Sequence, residues 1–182
     1  MNNPSIIRIK AADICTQGRH PEDILSNLCG NDFCFDGVQC GCMESFLQSL
    51  KIEDENLQRK ICLCKVHELD RYKIPEWDCT MPLWWKGHRL DRKSAKYKRL
   101  IRRAYEDMYL WCARFRDALM ATAGKKLISE RGEISPDTTI LTDKEFCSIL
   151  TGLRRKNIIA YRTCKYPRMW PNSYGVDEDY EY

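Results

Sequence analysis

The chain has no apolar run near the roughly 20 consecutive residues that a bilayer-spanning helix needs, so no membrane span is expected. Its three histidines, His20, His67 and His88, are scattered, which gives no histidine-based metal cage. Nine glycines and seven prolines among 182 residues are too few and too dispersed for a collagen-like or low-complexity chain, and there is no internal repeat. The opening Met1-Asn2-Asn3-Pro4-Ser5 has neither the basic nor the apolar region of a secretory leader. A reducing, cytoplasmic setting is therefore expected, with the eleven cysteines mostly as free thiols rather than a disulfide framework.

What is present fits one soluble domain, with 43% hydrophobic and 31% charged residues. A chain of this length buries roughly two-thirds of its unfolded surface, enough for a core that needs no staples. Thirty Lys and Arg against 26 Asp and Glu give a net charge of +4, too small by itself to require a polyanionic partner. The charge is unevenly spread. No basic residue follows Arg168, and the acids Asp177, Glu178, Asp179 and Glu181 leave residues 1–171 at +8.

Cys29, Cys34, Cys40, Cys42, Cys62 and Cys64 are the candidates for a zinc site, and their spacing argues against one. Structural zinc usually takes C-x2-4-C pairs, whereas Cys40/Cys42 and Cys62/Cys64 are C-x-C. Buried thiols are the alternative. No metal and no cofactor is expected.

The patterning predicts an α+β chain, a predominantly helical single domain with a short β-hairpin or small antiparallel sheet. Ser5 to Lys10 alternates weakly and reads as a first strand. Phe33-Cys34-Phe35, Asp36-Gly37 and Val38-Gln39-Cys40 have the form of a hairpin, since Asp-Gly suits the positive φ angles of a type I′ turn. Helices are expected from Met43 to about Leu50, from Glu55 to His67, and from Ser94 to Thr122. The last has a ladder through Tyr97, Ile101, Ala104, Met108, Trp111, Phe115, Leu119 and Thr122, and Gly124 stops it. Leu127 to Ser129 reads as a strand, and Thr142-Asp143-Lys144-Glu145 as a capping box that opens the final helix. Beyond Asn157, aromatic residues among prolines predict an irregular extension over 158–182, after a domain spanning 1–157.

Chemistry concentrates in the helix after the hairpin. At about 100° per residue Glu44, Gln48 and Lys51 fall on one stripe, apart from the apolar arc of Met43, Phe46, Leu47 and Leu50. A carboxylate, an amide and an amine are thus aligned, either as a site or as an ordinary solvated face.

The order of several short segments favours the first of these readings. Leu25-Ser26-Asn27-Leu28, Phe33, Asp36-Gly37, Met43-Glu44 and Gln48-Ser49-Leu50-Lys51 resemble the start of the NADAR, or YbiA-like, superfamily. The resemblance continues through Trp84-Trp85-Lys86-Gly87, the helix from Tyr105 to Thr122, and Thr139-Ile140-Leu141-Thr142-Asp143-Lys144-Glu145-Phe146-Cys147 to Arg154. It covers about residues 24–155. Members of that superfamily are N-glycosidases. Some cleave phosphorylated riboflavin-pathway intermediates, and others remove ADP-ribose from modified guanine.

The resemblance implies a hydrolase acting on an N-ribosyl bond, with Glu44 and Lys51 catalytic. A carboxylate can move a proton to the leaving base or offset positive charge at the anomeric carbon. A Lys amine can form a Schiff base with an opened ribose, provided burial lowers its pKa. Asp137 is the candidate for a second acid, in competition with Glu130 and Glu133. Trp84 and Trp85 are candidates to stack on a base, although adjacent extended positions face opposite ways. Asn27 and Gln48 are candidates to hydrogen-bond ribose or base, and Asn27 could equally cap its own turn.

The basic run Arg89, Arg92, Lys93, Lys96, Lys98, Arg99, Arg102 and Arg103 reads as a solvated face or as an electrostatic funnel for pyrophosphate or nucleic acid. The expected partner is a nucleotide-type small molecule or an ADP-ribosylated nucleic acid. A noncatalytic nucleotide- or nucleic-acid-binding module using the basic helix and the tryptophans is the alternative.

Overall fold

The computed structural model describes residues 5–9, 19–130 and 134–163, with side chains as far as Asn157. Its described strands form three two-stranded pairs. β1 (Ile6–Ile9) lies parallel to β6 (Lys126–Ser129), with Ile7 opposite Leu127, and nearly the whole domain forms the crossover between them. β2 (Phe33–Phe35) and β3 (Val38–Cys40) make the expected hairpin. Asp36 and Gly37 have φ of 48° and 77°, the two left-handed residues of a type I′ turn. A second hairpin, β4 (Leu83–Trp85) with β5 (His88–Leu90), turns on Lys86 and Gly87 at φ 49° and 74°. Lysine in a left-handed position is no turn signal, and the sequence pattern does not announce this hairpin.

The helices are α1 (Pro21–Ile24), α2 (Met43–Ser49), α3 (Glu55–Leu63), α4 (Ala95–Trp111), α5 (Ala113–Ala121) and α6 (Asp143–Thr163). Three boundaries differ from the sequence expectation. The second long helix ends at Leu63, and a separate 3-10 helix follows over Val66–Arg71. The long helix from Ser94 is broken at Cys112, whose φ of −103° and ψ of 98° end α4 and open α5. Trp111, expected on the apolar ladder, is consequently 64% exposed. The final helix runs past Asn157 to Thr163, while the aromatic and acidic residues beyond it lie outside the described residues.

One apolar core joins these elements. Phe33, Phe35, Phe46 and Trp85 pack as an aromatic cluster under α2, with ring centroids 5.2–6.3 Å apart. Tyr97, Tyr105, Phe115, Leu119, Phe146 and Leu150 continue the core between α4, α5 and α6. Buried Arg154 closes the end of α5, donating to the Thr122 carbonyl at 2.6 Å and the Lys125 carbonyl at 2.9 Å.

The joint that orients α2 is tight. Gly41 donates its N–H to the Cys62 carbonyl at 2.8 Å. A Cβ at Gly41 would stand 2.6 Å from the Cys64 carbonyl oxygen and 2.7 Å from that of Leu63. Ser45 Oγ donates to the same Cys64 carbonyl at 2.6 Å, and Cys42 Sγ caps α2 by accepting the Ser45 N–H. Small thiol side chains suit so close a crossing: Cys40, Cys42 and Cys62 are fully buried there, and Cys62 donates to Ser49 Oγ.

Gly41→Ala should therefore cost about 2–3 kcal/mol in urea unfolding, because backbone carbonyls rather than a mobile side chain must yield. Gly152→Ala, inside α6 with open space around the added methyl, should stabilise by about 0.5–1 kcal/mol.

Candidate active site

α2 brings its polar stripe to one small cavity. Glu44, Gln48 and Lys51 line it on one side, together with Asn27 from the loop after α1 and the methyls of Leu47. Opposite them stand Trp77 and the segment Thr138–Leu141. The cavity has a volume of about 90 Å³, roughly three waters' worth of space.

Each polar residue is held from behind. The Glu44 N–H, left unpaired by the helix start, donates to the Asn27 carbonyl at 3.0 Å. Asn27 Oδ1 accepts from the Tyr105 hydroxyl at 2.7 Å. Gln48 Nε2 donates to Glu44 Oε1 at 2.6 Å, the contact expected of residues four apart on a helix.

Lys51 lies just beyond the end of α2, where its own N–H donates to the Gln48 carbonyl at 3.2 Å. The backbone around it is fixed by buried Gln58, whose Nε2 lies within bonding distance of the carbonyls of Ser49, Ile52 and Trp84. Burial pushes the Lys51 amine below the usual lysine range, against the opposing charges of Glu44 and Glu76.

The far wall is suspended from the start of α4. Arg92 Nε donates to the Thr139 carbonyl at 3.1 Å, and its guanidinium grips Glu145 with both NH groups. The Tyr97 hydroxyl donates to the Ile140 carbonyl at 2.6 Å. Trp77 is buried, and its indole N–H is spent on the Met81 carbonyl at 3.1 Å.

Of the residues expected from sequence, Asn27, Glu44, Gln48 and Lys51 meet in this cavity, while Trp84, Trp85 and Asp137 do not line it. Trp85 is a core residue, stacked among Phe35 and Phe46 with its indole N–H on Asp36 at 3.0 Å. Trp84 contributes backbone, donating to the Leu50 carbonyl at 2.7 Å beside Lys51. Asp137 is exposed and paired with Lys93 at 3.0 Å. Of its competitors, Glu130 is exposed and Glu133 lies outside the described residues. In the basic run, Arg92 is buried and paired, and Arg103 is bound to Asp36 over the Phe35 ring.

Sequence reasoning assigned no role to Trp77 or to Thr138–Leu141. Thr139-Ile140-Leu141 did fall within the segments that resemble the superfamily, which was the one available signal. A wider, more open hollow of about 1170 Å³ lies between β6 and the first turns of α6; none of the expected catalytic, ribose-binding or base-binding residues lines it, whereas Arg92, Lys93 and Lys98 of the basic run do.

Comparison with known proteins places the chain in a family and a fold. Residues 19–155 match the family described as bacteriophage protein GP30.3. The chain belongs to the GP30.3 family. That family is of the NADAR type, so the resemblance read from the sequence holds at the level of the superfamily. A relative encoded in the Gp30-rIII intergenic region of Enterobacteria phage T4, a 17.1 kDa protein, is 35% identical over 147 residues, covering 78% of this chain and 95% of that protein. The NMR structure of the E. coli protein YbiA superposes with a TM-score of 0.58 at 19% identity, covering 90% of this chain and 92% of YbiA. The GP30.3-family chain thus has the YbiA-like α+β fold.

The electrostatics of Lys51 in this GP30.3-family site have a definite sign. Burial favours the neutral amine and the Glu44 carboxylate favours the ammonium, so deleting the Glu44 charge must lower the amine further. After reductive ¹³C-methylation, the Lys51 resonance should titrate below the bulk of the lysines, and in Glu44→Gln lower still. A Lys51 midpoint that stays put in Glu44→Gln would show that the two groups do not interact.

Proposed function

We propose that this protein is an N-glycosidase that cleaves an N-ribosyl bond, removing ADP-ribose from modified guanine or a related nucleotide. The observation that carries the reading is the convergence of a carboxylate, Glu44, and a half-buried amine of lowered pKa, Lys51, on one small cavity. The kinship with the NADAR superfamily points the same way.

The chemistry follows from these two groups. Opening of the ribose ring moves a proton to the ring oxygen and leaves C1′ doubly bonded to the base nitrogen. The neutral Lys51 amine adds to C1′, the base departs with a proton, and a Lys51 Schiff base is left. Water then adds to C1′, releasing the amine and an aldehyde that closes again to ribose. The net change is hydrolysis, with Glu44 as the group that carries protons or offsets positive charge. Lys51 can attack only when unprotonated, so its lowered pKa brings the reactive form toward neutral pH.

A nucleotide-binding module relying on the tryptophans lacks comparable support, because Trp85 is enclosed in the core. Exposed Lys96, Lys98, Arg99 and Arg102 on α4 leave the electrostatic part of that reading available as a way to hold a charged substrate.

Borohydride added during turnover of an ADP-ribosylated guanine substrate should leave a ribosyl adduct on Lys51. Lys51→Arg should lose both adduct and turnover, since a guanidinium stays protonated. Glu44→Gln should slow turnover by about 10²–10⁴-fold with little change in stability. A fully active Lys51→Arg would reduce Lys51 to a positioning group, and no cleavage of any N-ribosyl substrate by the wild type would favour the binding module.

A further inference from the structure

The end of the cavity formed by Asn27 and Glu44 has a specific hydrogen-bonding character that the glycosidase reading does not by itself require. Tyr105 is fully buried on α4 and does not line the cavity, yet its hydroxyl donates to Asn27 Oδ1 at 2.7 Å. With one lone pair of Oδ1 engaged and that oxygen turned toward Tyr105, the side of the Asn27 amide left to a ligand is its NH2, with two N–H donors. Backbone freedom at Asn27 is also spent, because its carbonyl holds the Glu44 N–H at 3.0 Å. Beside it, Glu44 keeps Oε2 as an acceptor while Oε1 is taken by Gln48 at 2.6 Å. An amide donor and a carboxylate acceptor therefore stand side by side.

We infer that this pair reads the vicinal diol of a ribose, with Tyr105 as the positioning residue that holds the Asn27 amide in its donating orientation. This rests on the N-ribosyl reading of the site and names the sugar it selects. A hydroxyl both donates and accepts, so one hydroxyl of a diol donates to Glu44 while its neighbour accepts from Asn27. Other ligand parts fit less well. A phosphate at this end would meet the Glu44 carboxylate, and a fused purine together with its sugar exceeds a cavity of about 90 Å³. Space on that scale is far below the ~300–1,000 Å³ of sites that enclose a whole drug-sized ligand, so the diol edge of the sugar enters it while base and pyrophosphate lie at the rim.

A 2-deoxyribose lacks one of the two hydroxyls and leaves either the amide or the carboxylate without its partner, which is how a polar site rejects an analogue of its substrate. Such a site would cut a ribosyl bond attached to a base and spare the deoxyribosyl bond that holds the same base in DNA.

The test compares two sugars by two readouts on the full chain. Binding of ribose 5-phosphate and of 2-deoxyribose 5-phosphate is followed by NMR on the Asn27 and Gln48 side-chain amides. Turnover is measured on ADP-ribosylated guanosine and on its analogue with a deoxyribose at the scissile bond. Wild type should favour ribose by about tenfold or more in both. Tyr105→Phe should narrow that preference to about threefold or less, with the loss on the ribose substrate mainly in KM. Asn27→Ala, which keeps the backbone carbonyl that holds Glu44, should do the same and serves if Tyr105→Phe does not fold. Equal treatment of the two sugars by wild type, or an undiminished preference in both variants, would overturn the inference. A ribose preference in binding with no cleavage of either substrate would support the diol reading and sink the glycosidase one.

Discussion

The crossing of Gly41 over the end of α3 is the constraint from which the rest of the site follows. At this point the chain leaves β3 and enters α2 within contact distance of two backbone carbonyls, leaving no room for a side chain at Gly41. The crossing sets the direction of α2, and Ser45 and Cys42 lock the first turn to the end of α3 and to itself. Once that direction is set, helical geometry carries Glu44 and Gln48 to one side, and Gln58 fixes the backbone that places Lys51. The buried cysteines belong to this joint. They are small, apolar and weakly hydrogen-bonding, which is what a crossing at van der Waals distance admits.

A polar stripe on a helix is only a surface until something covers it. Here the cover comes from Trp77 and from Thr138–Leu141, and that second segment is held by Arg92 and Tyr97 at the start of α4. Enclosure lowers the Lys51 pKa, because desolvation is the first of its causes and the two acidic neighbours oppose it. The reactivity proposed for Lys51 is therefore a property of the packing between α2 and the Thr138–Leu141 segment. Residues that do not line the cavity, such as Arg92, contribute to it by holding the wall in place.

The shared fold with YbiA at 19% identity shows how little of the surface sequence this architecture requires. What it does require is visible in the GP30.3-family chain as short segments in a fixed order. The hairpin and the polar stripe were legible because each is encoded locally, in a turn dipeptide or a helical period. Trp84 and Trp85 were legible as aromatic residues but not as to their burial. Which of two adjacent strand residues faces the core depends on what the sheet packs against, and here Phe35 and Phe46 enclose Trp85. The bend at Cys112 was hidden for a related reason. An apolar ladder running through a break reads as one helix, and the break shows only in the extended backbone of Cys112 and the exposure of Trp111.

By itself the sequence determined the α+β class, the type I′ hairpin and the alignment of Glu44 with Gln48, since φ preference and helical period act over fewer than ten residues, whereas Lys51, beyond the end of α2, also depends on Gln58. Tertiary structure alone decided that Trp77 and Thr138–Leu141 would face that stripe, that Asp137 would turn outward to Lys93, and that Tyr105 would reach Asn27 from a helix 78 residues away. Contacts over such separations carry no local pattern. They form because burying the aromatic core fixes the helices relative to one another, and the polar groups then bond to whatever the packing brings within reach.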